Sequence, residues 1–107
     1  MKRYGSLIRV LPEKINEYKQ LHTEVWPSIL NMIRECNIRN YSIYYKDGFL
    51  FSYYEYTGSN YDEDMAKMAA DPDTQRWWKV TDKCQLPLDS RKPGEWWAEM
   101  DEVFHID

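Results

Sequence analysis

The chain predicts an α+β fold in the order β-α-β-β-α-β. Three observations carry this. Runs alternating with a period of two lie at residues 2–11, 38–45, 49–57 and 99–106. The stretches between the first two runs and between the last two instead space their apolar residues by three and four. Lys46-Asp47-Gly48 joins the two central runs as a hairpin signal.

In the first run Tyr4, Ser6, Ile8 and Val10 share one face, and Arg3, Leu7 and Arg9 the other. Pro12 then opens a helix running to about Cys36, since proline suits a first helical position. Asn37 is its stop, because asparagine tolerates the left-handed conformation. Pro27 falls inside this span. There it should free the carbonyl of Thr23 and bend the helix just past His22. Tyr18, His22 and Trp26 are spaced four and four and project from one stripe, which Ile15, Ile29 and Ile33 extend.

In the hairpin, Tyr41, Ile43 and Tyr45 oppose Ser42 and Tyr44, while Phe49, Phe51, Tyr53 and Glu55 alternate with Leu50, Ser52, Tyr54 and Tyr56. Both faces carry bulk. One packs on the helices; the other calls for a second layer, most simply another copy of the chain. Gly58-Ser59-Asn60 breaks the strand, and Asn60 or Asp62 caps a short helix through Ala70. Asp71-Pro72 starts another, which carries Trp77, Trp78, Val80 and Thr81 and ends near Cys84. Residues 85–98 read as a loop holding the Trp96-Trp97 pair, and Glu99–Ile106 as the closing strand. This order is the ferredoxin-like split βαβ pattern, a four-stranded antiparallel sheet with helices on one face. Two such sheets placed face to face make a dimeric α+β barrel.

A chain of 107 residues fits one domain spanning 1–107. No secretory signal follows Lys2 and Arg3, and no segment approaches the ~20 apolar residues of a membrane span. Cys36 and Cys84 lie far apart, without a CxxC or Cys/His cluster, which argues against a disulfide framework or a metal site and for reduced thiols in a cytoplasmic protein. The net charge of −4 with no basic run disfavours nucleic acid as a partner. Nine Tyr, five Trp and three Phe are the compositional anomaly. Tyr and Trp join an apolar body to a polar tip. They suit a subunit interface or a pocket for a sugar, which has apolar faces and hydroxyl edges. His22, between two aromatics on the inward stripe, is the sharpest chemical signal; His105 reads as structural or solvent-exposed.

Four blocks occur in order: His22-x-x-Val25-Trp26-Pro27, Asn40-Tyr41-Ser42-Ile43-Tyr44, Gln75-Arg76-Trp77-Trp78-Lys79 and Glu102-Val103-Phe104-His105. Together they resemble the L-rhamnose mutarotase family, small cytoplasmic enzymes that interconvert the anomers of L-rhamnose. The resemblance spans nearly the whole chain. It implies a dimeric ferredoxin-like α+β barrel, His22 as general acid, Tyr18 and Tyr41 as substrate-contacting tyrosines, and Trp77 and Trp78 as pocket tryptophans. The chain departs from the family pattern at Ser28, at Asn37 and in the length of the loop holding Trp96-Trp97.

The implied chemistry is simple. One proton leaves the anomeric hydroxyl and one reaches the ring oxygen; the ring opens, C1–C2 rotates, and closure reverses the transfers. No metal or other cofactor is needed. Acid–base help of about 10²–10⁴-fold can be most of the catalysis, and histidine, with an ordinary pKa of about 6.5, both donates and accepts near neutral pH. The expected partners are a small sugar and a second copy of the chain, with neither nucleic acid nor membrane. Alternatives are L-fucose or another deoxy sugar as substrate, a dimeric-barrel monooxygenase, or a sugar-binding module without catalysis.

Overall fold

The sheet is built around the first strand. In the computed structural model, which describes residues 1–107, β1 (Lys2–Val10) pairs antiparallel with β3 (Phe49–Tyr56), from Lys2 opposite Tyr56 to Arg9 opposite Phe49. On its far side β3 pairs with β2 (Ile38–Lys46). Two short strands also pair with β1: β4 (Gln85–Leu86) opposite Arg9 and Val10, and β5 (Ala98–Met100) opposite Gly5 to Leu7. The order is β2-β3-β1, with β4 and β5 sharing the fourth position. This is the expected ferredoxin-like sheet with its last strand in two pieces. Residues 85 and 86, expected as loop, form the first piece.

The β2–β3 turn is Asp47-Gly48, with φ of 52° and 86°. Two successive left-handed residues match the right-handed twist of a hairpin, which Asp and Gly supply at low cost. Within β2 the register slips between Arg39 and Ser42. Asn40, at φ 52°, is the bulged residue. Without that extra residue, strict alternation from buried Ile38 would send Tyr41 and Ile43 to the wrong face. With it, Tyr41, Ile43 and Tyr45 turn toward the helices.

The single helix expected over 12–36 is two. A 3-10 turn (Pro12–Lys14) leads into α1 (Ile15–Leu21), and α2 (Pro27–Glu35) follows after a break. Pro27 does not kink a continuous helix; it is the first residue of a new one. Trp26 explains the difference. A residue before proline is pushed out of the helical region, and Trp26 has φ −57° and ψ 134°. Proline's missing N–H is harmless at a first helical position. His22 therefore sits at the C-cap of α1. Asn37, at φ 65°, ends α2 as expected.

The second helical region is α3 (Tyr61–Ala70) and α4 (Pro72–Asp82). Asn60 accepts a hydrogen bond from the Glu63 N–H, and Asp71 accepts one from Thr74, capping each helix. The Asp64 carboxylate ties α3 to its neighbours, accepting from the Tyr56 hydroxyl at 2.5 Å and from Asn37 Nδ2 at 2.9 Å. Those two hydrogen bonds hold its pKa below the usual aspartate value. All helices pack on one face of the sheet. Ile8, Val10, Tyr18, Leu50 and Cys84 form the core, with Ile15, Leu21, Ile43 and Trp97 against it. Burying a side chain of leucine size contributes about 1.5–3 kcal/mol.

The closing strand is shorter than the alternation over 99–106 suggests. It ends at Met100, and residues 101–107 pair with no strand of their own chain. The Arg3 guanidinium holds this tail through two bonds to Glu102, at 2.9 and 3.0 Å. His105 lies in it, 2.7 Å from Asp107. Val103, Phe104 and Ile106 are exposed.

Candidate active site

A cavity of about 860 Å³ lies between the helices and the sheet. Tyr18, His22, Tyr41, Trp77 and Trp78 all line it. They come from four places: α1, its C-cap, the strand just after the β2 bulge, and α4. Most of the lining is apolar, including Ile15, Ile29 and Ile33 of the inward stripe. No aspartate or glutamate lines it.

His22 is fixed by its own helix. Its Nδ1 lies 2.8 Å from the backbone oxygen of Tyr18, one turn earlier. A carbonyl only accepts, so Nδ1 carries the proton. Proton exchange is thereby left to Nε2. The imidazole lies 4.4 Å from the Tyr18 ring, and the edge-on Trp77 ring lies 5.5 Å away. Trp26 does not line the cavity. It packs edge-on against Trp77 at 5.2 Å, on the far side of the helix break. The stripe of Tyr18, His22 and Trp26 thus survives as a cluster, although Trp26 belongs to the next element.

The two tandem tryptophans differ, as their 100° separation on a helix requires. Trp77 is 7% exposed and braces His22 and Trp26; Trp78 is 39% exposed at the cavity wall. The tyrosines are kept neutral. Burial drives the Tyr18 hydroxyl well above the ordinary phenol value, helped by the neighbouring Tyr41. Burial likewise pushes the Tyr41 hydroxyl up to about 12, although part of its ring remains exposed. Both are hydrogen-bond donors at neutral pH.

The sequence marks Trp96 only as half of a tryptophan pair and gives no role to it or to Gln85. The buried Gln85 gives its Nε2–H to the Tyr18 hydroxyl at 3.2 Å, and its Oε1 accepts from the Trp96 indole at 2.8 Å. A glutamine in an apparent loop carries no chemical signal of its own; only the pairing of Gln85 with Val10 brings it under Tyr18. No group of three or more His, Cys, Asp or Glu side chains converges as a metal site, and no helix is long and apolar enough to cross a membrane.

Residues 3–106 match the family model for L-rhamnose mutarotase. An L-rhamnose mutarotase of Oceanobacillus iheyensis is 32% identical over the whole of both chains. One from Listeria monocytogenes is 34% identical over 99% of each. Among solved structures, an L-rhamnose mutarotase from Formosa agariphila superposes with a TM-score of 0.78 at 17% identity, each chain covered completely. The tetracenomycin F2 cyclase of Streptomyces glaucescens gives 0.75 at 10% identity, over all of this chain and 98% of that one. At those identities the two structures speak for the fold alone, an α+β architecture shared by proteins of different activity. With the family match covering nearly every residue and two full-length relatives above 30% identity, the chain belongs to the L-rhamnose mutarotase family.

Proposed function

We propose that the protein interconverts the α and β anomers of L-rhamnose, with His22 as the proton-transferring residue. The observation that carries this is the bond from His22 Nδ1 to the Tyr18 carbonyl. It fixes one ring nitrogen as a permanent donor and commits the other to the sugar. With both ring nitrogens protonated, Nε2 delivers its proton to the ring oxygen as the ring opens and takes it back on closure. The anomeric proton leaves to a bound water, since no carboxylate lines the cavity and the tyrosines are already protonated. Tyr18 and Tyr41 bind sugar hydroxyls as neutral donors. Trp78 offers an apolar face to the ring, and Trp77 holds the imidazole in place.

The working form is a homodimer in the cytoplasm. Tyr44, Phe51 and Met100 are exposed on the sheet face away from the helices, and Val103, Phe104 and Ile106 on the tail. So much exposed apolar surface supports a second sheet covering the first.

The test is exchange NMR on anomeric protons, with catalytic amounts of protein beside L-rhamnose, L-fucose and D-glucose. Faster α/β exchange with L-rhamnose is expected. Acceleration only with another sugar would keep the mechanism and change the substrate. Acceleration with none would remove the enzymatic reading.

A further inference from the structure

The hydrogen bonds beneath Tyr18 run in one direction. The Trp96 indole nitrogen is a donor only, so the atom of Gln85 that meets it must be the amide oxygen. The amide NH₂ must then face the Tyr18 hydroxyl, 3.2 Å away. Tyr18 accepts this bond, and its own hydroxyl proton remains free. Gln85 is 7% exposed, whereas Trp96 is 42% exposed. A surface indole therefore sets the orientation of a buried amide, and the amide sets the orientation of a cavity phenol.

We propose that Gln85 and Trp96 are positioning residues that hold the Tyr18 hydroxyl as an obligate donor toward the sugar. This rests on the mutarotase reading above and deepens it. Tyr18 then acts twice. Its carbonyl fixes the tautomer of His22, and its hydroxyl, aimed by Gln85, fixes the sugar. Without the indole, the Gln85 amide can flip and present oxygen to Tyr18. The phenol would then spend its proton on the protein. The loop holding Trp96 gains a role from this: it carries the residue that prevents the flip.

Gln85→Glu tests the polarity directly. The introduced carboxylate accepts from Trp96 and also from Tyr18, reversing the second bond. Once protonated it regains a donor toward Tyr18. The other titratable groups around this hydroxyl are Tyr41 on β2, Asp82 at the end of α4, Cys84 before β4 with its partner Glu17 on α1, and His22 one turn on. They are common to wild type and variant, so the ratio of the two exchange rates isolates the new carboxyl. The expected ratio is about three- to tenfold below one at pH 8, recovering as the pH falls. Trp96→Phe, which removes one bond at a half-exposed site, should lower the rate by a smaller factor at every pH. Tyr18→Phe should slow the wild type but have little further effect in the Gln85→Glu background at pH 8. Wild-type rates in both Gln85→Glu and Trp96→Phe would overturn the positioning role. So would a loss that ignores pH and adds in full to that of Tyr18→Phe. A wild type that accelerates no anomer exchange would instead overturn the proposed function, and with it the donor role of Tyr18.

Discussion

On the helix side of β3, Leu50, Ser52 and Tyr56 are buried, and Tyr54 packs on Tyr4 and Tyr41. On its other side Phe51 is exposed beside the exposed Tyr44, while Tyr53 and Glu55 bond to each other. Aromatic rings stand on both faces; the treatment of the polar tips differs. Toward the helices, hydroxyls and ring nitrogens are tied into directed chains: Trp96 to Gln85 to Tyr18, and His22 to the Tyr18 carbonyl. Away from them, apolar rings lie open and the polar atoms form short local pairs. Directed polar ends around a cavity suit recognition of one small molecule. Open rings with little polar demand suit a flat mate of the same kind.

The sharpest way to separate the two faces is to strike one chemically. His22→Ala should lower anomer exchange by about 10²–10⁴-fold while leaving the oligomeric state and the circular dichroism unchanged. Exchange at the wild-type rate would take the reaction away from this residue. The tandem tryptophans give a finer cut within the same face. Trp77 is almost fully buried against His22 and Trp26, so Trp77→Ala should cost about 3–5 kcal/mol of stability. Trp78→Ala should leave the denaturation midpoint nearly in place and raise KM for the sugar. Equal stability losses in the two variants would mean that both are core.

The opposite face is struck by Phe51→Glu. A carboxylate buried without a partner at a sheet–sheet contact should cost at least about 3 kcal/mol, a roughly hundredfold weaker dimer. Sedimentation should then show a species of 13.0 kDa at concentrations where wild type is twice that mass. A wild type that sediments as a monomer would break the comparison at its root, since the exposed face would then have no mate.

Particular residues show which parts of this were legible in the sequence. The strand and helix order was, because periods of two and of three to four hold over eight residues or more. Asp71 and Asn37 announced their cap and stop through side-chain chemistry alone, while the structure chooses Asn60 over Asp62 for the other cap. The break before Pro27 was not. An apolar stripe of that spacing fits a kinked helix as well as two helices, and the conformation of Trp26 decides between them. The alternation groups Tyr41 with Ile43 and Tyr45 but leaves open which face they share, and the bulge at Asn40 that turns them toward the helices carries no sequence signal. A two-residue strand such as Gln85–Leu86 is too short to show alternation. The tail shows the reverse. Its alternation from Met100 to Ile106 is real, yet beyond Met100 its own chain gives it no strand to pair with. The five residues singled out for the site do meet in one cavity. The Gln85–Trp96 support could not be read, because neither residue titrates and only the fold brings them together.

The smallest expected effect concerns the phenols of the cavity face. Burial raises the Tyr41 hydroxyl from the ordinary value of 10 to about 12, with Tyr61 adding a little. Tyr18 is raised in the same direction. A raised pKa means that folding favours the protonated phenol. Its contribution is therefore complete below pH 10, where folded and unfolded chains are both neutral. It is lost as the pH climbs from 10 toward 12, because the unfolded chain ionises first. Tyr41 is 43% exposed, so solvent screening keeps this contribution small. Denaturation midpoints of wild type and Tyr41→Phe, measured from pH 8 to 12, should nearly coincide at pH 8. Above pH 10 wild type should fall faster, with the variant keeping the slope that Tyr18 imposes. Parallel curves through that window would show that Tyr41 is wet in solution, and would move it from the dry, directed face of the sheet to the rim of the cavity.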